Sequence, residues 1–222
     1  MTVTTIASPM PDEPARPAFI LRMTGIADKT LVKAVEAGWI PDLSVATVVW
    51  LAKRPVLVSA RTPDGVPIPA LRMGVKKEAT PEWDNPTGPG VSLPDWIIPR
   101  EFAGLAEDYT DEEFFLATHR WWKHAGRRRI AQAGYLIVVI GGIVVGLLRI
   151  TGEPVEHPED ARLAYPGYLI ARLDCHFEIL VPDDRRITHE DLDLARQMLG
   201  SLSPTRGGGS INALDADLDS AI

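Results

Sequence analysis

Five cationic side chains (Arg120, Lys123, Arg127, Arg128 and Arg129) and the pair Trp121-Trp122 fall within ten consecutive positions of a stretch reading "HRWWKHAGRRRI". Indole faces stack on bases and cationic side chains neutralise phosphates, so this combination suits contact with nucleic acid. The competing reading is structural, with both indoles in the core and the arginines on a solvated face. A second candidate is "RLDCHFEIL", where Asp174, His176 and Glu178 alternate and would share one face of a strand. Three polar groups so placed would bind a metal or act as acid and base. A half-solvated strand gives the same pattern, and that reading is adopted, with Cys175 pointing inward as a small apolar residue. Adjacent strand residues point apart, so Cys175 and His176 make no nucleophile pair. His119, His124, His157 and His189 lack ligand spacing, so neither a zinc site nor a cofactor is expected. "RGGGSIN", from Arg206 to Asn212, matches no phosphate-loop spacing and reads as a connector.

The charge balance limits what the basic stretch can do. The chain of 222 residues has a formal net charge of −7, which disfavours coating nucleic acid through bulk electrostatics but leaves room for a local patch. Residues 1–118 carry 11 Lys/Arg against 16 Asp/Glu, while residues 119–222 carry 12 against 14. A single cysteine, Cys175, excludes an internal disulfide framework and any multi-cysteine metal site. The opening segment has no cationic region followed by an apolar one, so no signal peptide is expected and a cytoplasmic setting is.

The elements that must position these residues follow from periodicity and punctuation. Residues 1–17 read as a disordered tail, rich in proline and small polar residues. The segment "DKTLVKAVEAGW" predicts a helix from Asp28 with Leu31, Val32, Val35 and Trp39 on one face, stopped at Gly38. Ser44 is placed to cap a second helix that Pro55 ends. Two extended segments around a Pro-Asp-Gly turn follow, so residues 18–73 resemble a small winged-helix-like helical/β-ribbon module. Residues 74–108 contain too many Pro and Gly for a regular element and read as a linker tacked down by Trp83 and Trp96. Thr110 with Glu113 predicts a capping box opening a helix in "TDEEFFLATHRWWKHAGRRR", with Phe114, Ala117, Trp121 and His124 on one face and Gly126 as a point of interruption. A last helix is expected from Thr188, "THEDLDLARQMLGSL", and residues 213–222 as a frayed acidic tail.

The apolar block "YLIVVIGGIVVGLLRI" has two explanations. Residues 130–148 carry no charge after a basic flank, and so would be long enough to cross a bilayer. Against this, Gly141-Gly142 stands between two near-equal β-branched runs, where a two-residue hairpin turn would fall. Uninterrupted apolar runs of that length suit strands buried on both faces. The hairpin Tyr135–Ile140 with Ile143–Ile150 is the expected structure, and a membrane span is disfavoured.

The segment "ATHRWWKHAGRRRIAQAGYLIVVIGGIVVGLLRI" resembles PUA-like nucleic-acid-binding domains, over residues of about 115–150. Trp121-Trp122, Arg127 to Arg129, the Gly142 turn and Arg149-Ile150 carry the resemblance. After Ile150 the expected Trp-containing continuation is replaced by "TGEPVEHPEDARLAYPGY". The resemblance implies that residues 109–212 form a mixed β pseudo-barrel with flanking helices, within an α+β chain. It also implies a non-catalytic DNA- or RNA-binding role for Arg120, Trp121, Trp122, Lys123, Arg127, Arg128, Arg129 and Arg149. A protein–protein adaptor or assembly subunit is the alternative reading, and an enzyme using Asp174, His176 and Glu178 is a further one.

Overall fold

A computed structural model describes residues 12–87, 91–123, 126–203 and 211–213. Among these residues seven helices run α1 (Pro17–Thr24), α2 (Asp28–Glu36), α3 (Val45–Leu51), α4 (Pro81–Asp84), α5 (Asp111–Thr118), α6 (Arg127–Ala133) and α7 (His189–Met198). The longer strands are β1 (Pro69–Arg72), β5 (Tyr135–Ile140), β6 (Ile143–Ile150), β8 (Arg162–Ala164), β9 (Gly167–Leu173) and β11 (Ile211–Ala213). Two-residue strands complete the set: β2 (Lys77–Glu78), β3 (Phe102–Ala103), β4 (Trp122–Lys123), β7 (Val155–Glu156) and β10 (Ile179–Leu180). The chain is therefore of mixed α+β class.

The expected hairpin forms the centre of the fold. β5 and β6 pair antiparallel from Tyr135↔Arg149 to Ile140↔Ile143, and Gly141 and Gly142 turn between them at φ 59° and 82°. A two-residue hairpin loop needs positive φ at both positions, which glycine adopts without steric cost. This hairpin occupies the middle of a six-stranded sheet ordered β10-β9-β6-β5-β1-β11, with β1 parallel to β5 and the other neighbours antiparallel. The sheet is open, with β10 and β11 at its edges, so the strands do not close into the expected pseudo-barrel among the described residues. No described helix is long and apolar enough to cross a membrane.

Both sheet faces are covered, which is why β5 is buried at every position. A Cβ on Gly146 would come within 2.5 Å of Phe114, so α5 lies against that face. On the other face Tyr135 donates its hydroxyl hydrogen to Asp191 of α7 at 2.9 Å. One hydrophobic cluster runs from Ile20 through the hairpin to Ile211. β1, from the 18–73 stretch, is hydrogen-bonded to β5 of the 109–212 stretch.

Local capping chemistry explains three of the described helix starts. Ser44 accepts from the Thr47 amide, while Thr110 with Glu113 and Thr188 with Asp191 form reciprocal capping boxes. Within 18–73, Ile68 donates its amide to Ala60 and Thr62 to Val66 around the expected turn. Val32, expected inward, is instead 37% exposed, because Leu31 and Ala34 form the buried stripe of α2. Residues 12–17 are held by a hydrogen bond from the Val45 amide to Glu13, whereas the expected tails at 1–11 and 214–222 lie outside the described residues. Among the described residues of 74–108 only β2, α4 and β3 are regular, and Trp83 and Trp96 are half-buried.

Candidate nucleic-acid interface

The basic stretch is not one helix. α5 ends at Thr118, whose hydroxyl donates back to the Phe114 carbonyl at 2.8 Å. The chain then enters β4, which pairs with β8 in the register Trp122↔Leu163 and Lys123↔Arg162. After Gly126 it re-enters a helix, α6, with Arg127, Arg128 and Arg129 outward and Ile130 and Ala133 inward. The expected single face of Phe114, Ala117, Trp121 and His124 therefore does not exist as a helical stripe, and His124 lies outside the described residues.

This break separates the candidate residues into two groups. Arg120 and Trp121 point inward, against their expected role as surface contacts. The Trp121 indole donates to the Asp84 carbonyl at 3.1 Å. Arg120 is 0% exposed, its Nη2 reaches Asn85 Oδ1 at 3.4 Å, and its Nε and Nη1 have no hydrogen-bond partner among the described residues. Burial, reinforced by the Arg100 charge and opposed by Asp84, pulls the Arg120 pKa down to about 10, so it stays cationic at neutral pH. Beside it His119 is also fully buried, and burial with the Arg120 and Arg100 charges lowers its pKa to about 3. Sequence spacing does not reveal this inward turn, since a Trp-Trp pair flanked by cations reads alike on either side of a surface.

The outward cations are Lys123, Arg127, Arg128 and Arg129. Trp122, paired with buried Leu163, points to the other face of β4 from Lys123 and packs partly against the core. Trp122 is half-buried and fixed by its indole N–H, which donates to the Thr118 carbonyl at 2.8 Å. Arg127 approaches exposed Glu153 at 3.5 Å, a single long contact rather than a bidentate pair. Lys123, Arg128 and Arg129 are exposed and make no hydrogen bond or ion pair among the described residues. The three arginines occupy the first turn of α6, the end at which the helix dipole disfavours cations. Helix stability does not account for them.

Arg149 is engaged elsewhere. Its guanidinium lies 4.2 Å over the Tyr135 ring and 3.9 Å from Asp191, so it packs β6 against α7.

The other candidates have structural roles. Asp174, His176 and Glu178 sit in the turn between β9 and β10 rather than along a strand. Asp174 Oδ1 accepts from the backbone amides of His176 at 2.9 Å and Glu178 at 2.8 Å, so its carboxylate shapes the turn. Because this is a turn, Cys175 is exposed, not inward as expected. No group of three or more His, Cys, Asp or Glu suited to a metal ion occurs among the described residues. Residues 206–210 of the glycine-rich segment lie outside them.

Sequence reasoning missed residues that flank the outward group. Arg162 stands opposite Lys123, 4.6 Å over the Trp83 ring, and Trp83 stacks on His157 at 4.9 Å. No local signal links these positions, which only strand pairing brings together. No family model, no curated protein and no solved structure matches the chain.

Proposed function

We propose that this is a non-catalytic nucleic-acid-binding protein of the cytoplasm that recognises its ligand through Trp122, Lys123, Arg127, Arg128 and Arg129. The observation that carries the reading is that Lys123, Arg128 and Arg129 are exposed and without a side-chain partner among the described residues, in the segment that also holds half-buried Trp122, in an otherwise acidic chain. The PUA-like reading of residues 109–212 belongs to this proposal. Supporting it are the helix, tryptophan pair and Gly-Gly hairpin in the expected order, while the open sheet weighs against a barrel. The winged-helix-like reading of 18–73 rests on α2, α3 and the turn at 62–66.

The test is binding of fluorescent single-stranded RNA and DNA at low salt, with the Arg128→Ala/Arg129→Ala protein beside the unaltered one. Binding that is lost in the variant supports the reading, and no binding by the unaltered protein overturns it. An adaptor role is the second reading, favoured by the exposed side chains of Val56, Val58 and Trp50.

A further inference from the structure

Lys123 and Arg162 are direct cross-strand partners between β4 and β8, so both project from the same face of that small sheet. Like charges directly opposite one another are destabilising unless something negative sits between them. His157, whose amide donates to the Arg162 carbonyl, is the next residue on this face. The side chains beneath form a column. The Trp121 and His157 rings meet at right angles with centroids 4.8 Å apart, Trp83 stacks on His157, and the Arg162 guanidinium lies over the Trp83 ring. His157 Nε2 is also 2.7 Å from the Trp83 carbonyl oxygen, which fixes the ring that supports the column.

The column holds a planar cation flat at the protein surface. Arg162 Nε lies 3.1 Å from Asp160, and neither Nη group makes a hydrogen bond among the described residues. Arg186 makes the contrast. It also lies over an aromatic ring, Tyr168 at 4.4 Å, but Asp184 engages both its Nε and its Nη2. Its fork is occupied, whereas that of Arg162 is open on one side and preorganised by Trp83.

We propose that Arg162 and Lys123 form a clamp for one phosphodiester of a single-stranded nucleic acid, with the column Trp83–His157–Trp121 positioning the arginine. This deepens the proposed function and rests on it. Asp160 already offsets part of the repulsion at Arg162 Nε, and a bridging phosphate would add two charge-assisted contacts, one to Lys123 and one to the Arg162 Nη groups that Asp160 leaves open. A single strand is specified because the guanidinium plane of Arg162, seated over Trp83, stacks only on a base that is not already stacked in a duplex. Trp122, paired with buried Leu163, points instead to the opposite face of the strand pair.

The experiment measures anisotropy of labelled oligouridine, and of a duplex of equal length, against the unaltered protein, Lys123→Gln, Arg162→Gln and their double variant. Arg128→Ala/Arg129→Ala reports on the underlying patch and Arg186→Gln is the control. The expected result is tighter binding of the single strand, several-fold weakening by either single substitution, and a double variant weakened by less than the product of the two. Arg186→Gln should bind as the unaltered protein does. Should Arg162→Gln lower the melting temperature, Lys123→Gln, at an exposed position, still decides the matter. Unchanged affinity in Lys123→Gln, or strictly multiplicative effects of the two substitutions, overturns the clamp while the patch at Arg128 and Arg129 stands. Equal binding of the duplex overturns the single-strand assignment. No binding by the unaltered protein removes the proposed function and the clamp together.

Discussion

Arg100 and Asp84 form an ion pair closed to solvent on both sides, with side chains only 6% and 5% exposed. The guanidinium also donates from Nη1 to the carbonyls of Leu116, Ala117 and Arg120, at 3.3, 3.2 and 2.9 Å. One buried cation thus ties α4 to the end of α5 and the turn that carries Trp121 and Trp122. Asp84 returns the favour to its own helix by accepting from the Thr80 amide at 2.7 Å.

Removing one partner of such a pair leaves the other charge buried and unpaired. Asp84→Asn is therefore expected to cost about 3–5 kcal/mol of stability, since two cations, Arg100 and Arg120, would then lack any buried carboxylate between them. Urea denaturation measures it. A loss below about 1 kcal/mol would show that the pair is not what fixes this turn.

The buried ring of His119 makes stability depend on pH. Its Nδ1 lies 3.2 Å from the Tyr165 carbonyl oxygen, which only accepts, so Nδ1 holds the proton in the neutral ring. Folding depresses its pKa from 6.5 to about 3, so below pH 6.5 the unfolded chain binds a proton that the folded one refuses. Stability is complete above pH 6.5 and is lost as pH falls toward 3. Between pH 7.5 and 5.5 this residue should remove about 1.4 kcal/mol. His119→Asn keeps a donor for Tyr165 without titrating, and should reduce the acid sensitivity by that amount in paired denaturation curves. Equal sensitivity in both proteins would mean that His119 is protonated in the fold.

The hairpin turn separates two costs of a side chain on glycine. Gly65 has φ 81° and open space around it, so Gly65→Ala should cost only the left-handed strain, about 1 kcal/mol. Gly141 has φ 59°, and its Cβ would come 2.6 Å from Ala34 Cβ and 2.8 Å from that residue's backbone nitrogen. Gly141→Ala adds overpacking to strain and should cost about 2–4 kcal/mol. Thermal melts of the two variants compare them, and equal losses would argue that α2 shifts freely away from the turn.

What could be read from the sequence was local. Gly141-Gly142 between β-branched runs, and the caps at Ser44, Thr110 and Thr188, are chemistry within a few residues, and each reappears in the fold. What could not be read was set by distant partners. Helix periodicity carried past Thr118 because nothing local marks the point where Arg120 and Trp121 turn inward toward α4. The alternation of Asp174, His176 and Glu178 imitated a strand, yet Asp174 uses its carboxylate to close a turn.

The outward cations and the indole should contribute to binding in different ways. Each cation that meets a phosphate of a single strand adds roughly 0.7 to the slope of log affinity against log salt. Replacing Arg128 and Arg129, which make no ion pair among the described residues, should therefore flatten that slope by about 1.4, with the melting temperature unchanged. Stacking carries no counterion term, so Trp122→Ala should weaken binding by about 1–3 kcal/mol at every salt concentration and leave the slope alone. Trp122 also anchors β4 through its bond to the Thr118 carbonyl, so Trp122→Phe is the companion variant. It keeps an aromatic face while removing that donor. If Trp122→Phe binds nearly as well as the unaltered protein and Trp122→Ala does not, stacking is the contribution. If both fail equally with lowered melting temperatures, the indole serves the fold, and the cations alone bind.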